Sequence, residues 1–303
     1  MTTCKWLAAA GLAVGMLPGL YGEVHCPGNM ASIRHRLVES SLVVVPVMLN
    51  GSGPYDFVLD TGEQMTAIDP KLASELGLSL QGSAEVTGAG FSTRASFARP
   101  ESLQAGDHVL KNLFLLVHPL GQIQVSDPRV RGILGENFLE RFDLLIDYAH
   151  GIVCLDDTKQ LQANMKGRRI ALTAISHSER DLPFIEPLVI SARVSGIGRP
   201  VLLQLDSGIN SPLWFHPEKL HSAVFASTPL HIHGTDGILH PYEVLPPQDI
   251  QVGLHSLKQI SFVSPIAAGK NIPGAEIDGV LPTALFSRTF ISYADRFAVL
   301  EPW

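Results

Sequence analysis

Apolar residues in this chain gather into short runs separated by glycine- and proline-bearing turns, a pattern that predicts strands. The run Val43-Val44-Val45-Pro46-Val47-Met48-Leu49 ends at Asn50-Gly51-Ser52-Gly53-Pro54, and the next run, Phe57-Val58-Leu59, ends at Asp60-Thr61-Gly62. The same order returns later in the chain. Pro187-Leu188-Val189-Ile190-Ser191-Ala192-Arg193-Val194, a turn with one extra residue (Ser195 to Pro200) and Leu202-Leu203-Gln204-Leu205 lead to Asp206-Ser207-Gly208. Each copy therefore predicts strand, turn, strand, and then a carboxylate in a tight loop. Helical signals are few. Asp69 as N-cap, Pro70 at the first position and Gly77 as stop predict one short helix, and a second is expected over Glu136 to Arg141. Val86-Thr87-Gly88-Ala89-Gly90-Phe91 predicts a hairpin with a glycine-rich tip. Further strands are expected at Ser102-Leu103, Leu113 to Val117, and a hairpin from Phe142 to Tyr148 through His150-Gly151 to Ile152-Val153-Cys154-Leu155.

The repetition extends beyond the Asp loops. Gly132-Ile133-Leu134-Gly135 has a counterpart in Gly279-Val280-Leu281-Pro282, and the separations Asp60 to Gly132 and Asp206 to Gly279 differ by one residue. The expected fold is mostly β, in two tandem lobes over 37–157 and 184–303. They are joined by a polar connection over 158–183 with a short strand at Ile170 to Ala174.

At 303 residues the chain can bury a full core. A formal charge of −7 without any basic run argues against nucleic acid or anionic membrane surfaces as partners. At the N-terminus, Lys5, the apolar run Trp6 to Leu17, Pro18-Gly19 and Gly22 have the layout of a secretory signal over 1–22, followed by a lead-in over 23–36. The apolar run is shorter than the roughly 20 residues a helix needs to span a bilayer. A short buried helix or an uncleaved anchor is the other reading of this stretch. The expected location is secreted or periplasmic, with no stable membrane insertion after cleavage. There Cys26 and Cys154 are two thiols that an oxidising compartment can pair.

Two carboxylates within hydrogen-bonding distance cannot both ionise cheaply, so they hold one proton between them. The ionised member can take a proton from water while the other donates one to a carbonyl oxygen, which is general acid-base attack on an amide. That chemistry needs no metal, cofactor or covalent intermediate. Thr61 and Ser207 supply short hydroxyls to cross-bond the loops, and Gly62 and Gly208 permit close backbone approach.

On these motifs the chain after residue 40 resembles the bacterial pepsin/retropepsin-like aspartic proteases, with two retropepsin-like lobes in one chain. The resemblance implies a catalytic dyad of Asp60 and Asp206, a flap tip at Gly88, Ala89, Gly90 and Phe91, and Ile133, Leu134 and Gly135 as the element supporting the first Asp loop. It also implies an endopeptidase that acts as a monomer on peptide or protein substrates. The sequence departs from the pattern in three places. The usually small residue after the motif is Glu63 in one lobe and Ile209 in the other, Pro282 stands where a supporting glycine is usual, and the first flap carries Phe91 but no tyrosine. These departures motivate a different reading, a non-catalytic peptide- or partner-binding protein that keeps the fold.

Other candidates have simpler roles. His231, His233 and His240 alternate in a way that metal ligands can, yet no acidic or cysteine partner has matching spacing, so they are expected as solvent or cleft histidines. Asp143 and Asp147 are expected as surface and turn groups. Trp214-Phe215 fits either core packing or a substrate subsite.

Overall fold

The computed structural model describes residues 25–28, 30–88, 91–175, 186–217, 229–233, 238–266 and 277–303. The expected signal over 1–22 and the flap-tip residues Ala89 and Gly90 lie outside the described residues.

The valine-rich run becomes the strand Leu42–Leu49, which pairs antiparallel with Ser52–Leu59. Asn50 and Gly51 close this hairpin with φ of 51° and 73°, the doubly positive turn that asparagine and glycine tolerate. From Leu42 to Val45 the strand is buried on both faces, which explains the unbroken apolar start of the run, and only Pro46 is exposed beyond it. Val43, Val45, Val47 and Leu49 point into the main core, while Leu42 and Val44 meet a second cluster with Val58, Ile133 and Leu116. Asp69 caps the helix Pro70–Glu75 by accepting from Leu72 N at 2.8 Å. The second helix is shorter than its pattern suggests, Glu136–Leu139, and a further short helix spans Gln160–Asn164.

Two sheets share one strand order. In the first lobe it runs Gln81–Gly88, Phe91–Ala98, Leu115–Val117, Ala67–Ile68, Val130–Leu134, Ser52–Leu59, Leu42–Leu49, Ser102–Ala105, His108–Lys111, with Arg36–Val38 paired to Leu42–Leu49 off this path. In the second it runs Leu230–His233, Leu239–Val244, Val263–Pro265, Leu213–Trp214, Gly279–Pro282, Val201–Asp206, Val189–Val194, Gln248–Val252, His255–Ile260. The nine positions correspond one to one, so the two lobes are related by a pseudo-twofold. In each, the Asp-bearing strand runs parallel to the strand of the Gly-Ile-Leu or Gly-Val-Leu run.

A third, six-stranded sheet joins the lobes, with Asp143–Asp147 paired antiparallel to Arg288–Ser292 at its centre and Leu145 opposite Phe290. Ile33–Arg34 closes one edge, and Ile170–Ala171, shorter than the expected strand, closes the other. This placement corrects the reading of Asp143 and Asp147 as surface groups, since both are buried; Asp147 is nevertheless a turn group, accepting from His150 N at 3.0 Å. A strand at the middle of a sheet packed on both faces has no solvent side. Asp147 is compensated there by Arg288 Nε at 3.0 Å and His150 Nδ1 at 2.8 Å. Cys26 and Cys154 form a disulfide that ties the N-terminal tail to this sheet, with a Cα–Cα distance of 5.7 Å.

Candidate active site

Each Asp loop leaves the end of its strand at the lobe junction. Asp60 N donates to Leu134 O at 3.0 Å, so the Ile133-Leu134 run holds the backbone at the carboxylate itself. In the second lobe Asp206 lies opposite Pro282 in the parallel register.

Four hydrogen bonds cross from loop to loop. Thr61 N donates to Ser207 Oγ and Ser207 N to Thr61 Oγ1, both at 3.1 Å. Thr61 Oγ1 donates to Leu205 O at 3.2 Å, and Ser207 Oγ to Leu59 O at 2.7 Å. Each hydroxyl thus accepts from the opposite loop and donates to the opposite strand, and both residues are buried. A β-carbon on Gly62 would overlap the Asp206 carboxylate, and one on Gly208 would overlap that of Asp60. Only glycine at both places lets the loops approach this closely.

The two carboxyls are close enough to act on each other's proton affinity. Their surroundings differ. Asp60 Oδ1 accepts from Gly62 N at 2.8 Å and from Glu63 N at 3.0 Å, whereas Asp206 Oδ1 accepts from Gly208 N alone, at 2.6 Å. Burial raises both, and the charge of Asp60 pushes Asp206 further, well above the usual carboxylate range. The extra N–H donor favours the charge on Asp60, and Asp206 keeps the shared proton. Glu63 is pushed up to about 8, by burial first and the Asp60 charge second. Ile209 takes the corresponding place in the second lobe and adds no charge.

The two loops are supported differently. In the first lobe Gly135 N donates to Thr66 Oγ1 at 3.1 Å, while Thr66 N and Oγ1 both donate to Asn137 Oδ1 at 2.8 Å. Glu136 N and Asn137 N reach Glu63 O and Gln64 O at 2.8 and 3.0 Å. The corresponding second-lobe residues are Pro212, Pro282 and Ala284, which carry none of the polar groups used by Thr66, Gly135 and Asn137. Rigid φ angles and apolar packing stand in for a hydrogen-bonded brace.

Around the dyad, the first hairpin is built from Gln81–Gly88 and Phe91–Ala98. A second hairpin of Leu230–His233 and Leu239–Val244 occupies the same position in the other sheet. The sequence reading missed it, although the signal was present: Gly234 lies as far beyond Asp206 as Gly88 lies beyond Asp60. His231, His233 and His240 are distributed over the strands of this hairpin. Among the described residues no group of three or more His, Cys, Asp or Glu is arranged to hold a metal ion. Trp214 is core, with its indole N–H on His216 O at 2.7 Å, and Phe215 is half-buried beside it. Sequence reasoning also passed over Glu136, Tyr148, Thr283 and Tyr293, which lie beneath the loops.

Comparison with solved structures and family models places this geometry. An aspartic proteinase from Irpex lacteus superposes with a TM-score of 0.50 at 10% identity, covering 90% of this chain and 97% of its own. The chain has the aspartic-protease fold. Residues 45–138 of this aspartic-protease-like chain match the family described as aspartyl protease. A retropepsin-like aspartic protease from Rickettsia conorii matches at 22% identity and a TM-score of 0.32, covering 41% of this chain and 87% of its own. No curated protein sequence matches. The family match over residues 45–138 supports a peptidase role in general terms, and the fold of the whole chain is consistent with it.

Proposed function

We propose that the protein is an endopeptidase that hydrolyses peptide bonds with a water activated between Asp60 and Asp206. The observation that carries this reading is the close pair of carboxyls, one from each lobe, brought together by glycine at Gly62 and Gly208 and held by reciprocal loop contacts. In the proposed step Asp60, the ionised member, takes a proton from the water, and Asp206 donates its proton to the oxygen of the scissile carbonyl. The tetrahedral intermediate collapses as Asp60 passes the proton it took to the leaving amine, and Asp206 recovers a proton from the intermediate's hydroxyl, which restores the starting pair. An extended peptide lies between the lobes, with strand-like hydrogen bonds to the two hairpins. One chain supplies both carboxylates, which supports action as a monomer. The Cys26–Cys154 disulfide supports an oxidising compartment, in keeping with a secreted or periplasmic protein.

The test is cleavage of an unfolded protein substrate over about pH 3 to 8, beside Asp60→Asn and Asp206→Asn. Each substitution should abolish cleavage while the protein stays folded. A folded parent that binds peptides but cleaves none at any pH would favour the non-catalytic reading.

A further inference from the structure

Within its own lobe the second Asp loop meets proline and apolar neighbours where the first meets hydrogen-bonding groups. The backbone shows the same difference. Glu136 N and Asn137 N reach the first loop at Glu63 O and Gln64 O, whereas among the described residues the corresponding Thr283 N and Ala284 N make no such bond to Ile209 or Asn210. Asp206 is nonetheless tied to this segment, because it lies opposite Pro282 in the parallel register and Thr283 is the next residue.

One hydrogen bond reaches that segment from the first lobe. Tyr148 follows directly on Asp143–Asp147, the first-lobe strand at the centre of the joining sheet, and its OH lies 2.6 Å from Thr283 Oγ1. Both residues are buried. The tyrosine is anchored on the second lobe through its backbone as well, since Tyr148 N donates to Ser287 O at 2.9 Å. Thr283 is fixed from its other side, its carbonyl oxygen accepting from Phe286 N at 3.1 Å and from Thr289 Oγ1 at 3.4 Å. Away from water, breaking the contact would leave an unpaired hydroxyl, so the pair is costly to separate. Across the pseudo-twofold the same places hold Tyr293 and Glu136, and there the Tyr293 hydroxyl has no hydrogen-bond partner. The tyrosine contact is therefore closed on the side whose loop lacks a brace, and open on the side where Thr66, Gly135 and Asn137 supply one.

We infer that Tyr148 is a positioning residue for Asp206: through Thr283, the first lobe supplies the hydrogen-bonded support that the second Asp loop lacks in its own lobe. The catalytic consequence rests on the peptidase reading above. In that reading Asp206 gives its proton to the scissile carbonyl, and a slightly displaced carboxyl does so more slowly while peptide binds as before.

The experiment is a double-mutant cycle in kcat and KM, well below the unfolding temperature, with Tyr148→Phe and Thr283→Val. Each removes one hydroxyl of the pair at nearly constant shape. Tyr148→Phe should lower kcat about tenfold and leave KM within about twofold of the parent. The double variant should be no slower than the slower single variant, since the same bond is lost only once. Thr283→Ser keeps the hydroxyl and should keep the kcat of the parent. Losses that multiply, or a parental kcat in Tyr148→Phe alongside a lowered unfolding temperature, overturn the inference. Should Tyr148→Phe fail to fold, the second position decides, and Thr283→Val must be slower than Thr283→Ser. If the parent cleaves nothing at any pH, the peptidase reading fails and amide hydrogen exchange decides the brace itself. In Tyr148→Phe the Gly208 amide must then exchange faster than in the parent, while the Glu136 and Asn137 amides keep their parental rates. An unchanged Gly208 amide, or an equal rise at all three, overturns the inference.

Discussion

Glu63 is the residue that separates this dyad from a plain pair of carboxylates. Its folded pKa is about 8, above the ordinary value of 4.5. Between those two values the folded state therefore binds more protons at this position than the unfolded chain, and stability falls as pH rises through that window. Glu63→Gln removes the effect. The unfolding temperature of the variant minus that of the parent should be near its minimum below pH 4.5, rise through the window and level off above pH 8. A difference that stays flat with pH would show that Glu63 ionises normally in the folded protein. At this scale the sequence was only partly legible. Asp60, Thr61, Gly62 and their second-lobe partners announce themselves because three adjacent residue types recur on the same flanks. Glu136 and Tyr293 do not, because a single glutamate after a glycine and a tyrosine at a strand end acquire meaning only when the lobes are brought together.

The elements that hold the two Asp loops are alike in topology and different in chemistry. Thr66, Gly135 and Asn137 brace the first loop with directed hydrogen bonds, whereas Pro212, Pro282 and Ala284 occupy those places in the second. Thr66→Val leaves Gly135 N without its acceptor and Asn137 Oδ1 without the hydroxyl donor, and should cost about 1–3 kcal/mol. The change is read from the midpoint of urea unfolding, and a shift corresponding to less than a few tenths of a kcal/mol would mean that the brace is dispensable. Placing threonine at Pro212 restores nothing, since Pro282 has no N–H to donate. Pro282 is visible in the sequence as a departure from the usual glycine. That Pro212 and Ala284 stand beside it in the same support is not, because these positions come from separate segments that only the fold aligns. Strands were legible where an apolar run met a glycine turn. The hairpin of Leu230–His233 and Leu239–Val244 was missed because its first strand alternates over only four residues and its second carries a proline.

At the level of the whole molecule, the disulfide and the joining sheet determine how far the lobes behave as one body. The Cys26–Cys154 bridge spans 128 residues. Replacing both cysteines with serine should lower stability by about 2–4 kcal/mol, measured from the denaturant midpoint under non-reducing conditions. An unchanged midpoint would assign the stability of this region to packing around Leu145, Phe290 and Phe297 alone. The repeat in the sequence foretold two lobes. It did not foretell that the strand from Asp143 to Asp147 would lie buried between them, because a carboxylate beside apolar residues has the same pattern at a surface hairpin as at a buried junction.

The charges on those two central strands also govern which halves can meet. In the observed register Asp147 stands opposite Arg288, and Asp143 opposite Ser292. Were two first lobes from different molecules to pair in the same way, Asp143 of each would stand opposite Asp147 of the other. Two acid pairs would then be buried in the middle of a sheet, without the arginine, at a cost that no apolar contact nearby offsets. The junction is thereby selective against first-lobe exchange between neighbouring molecules.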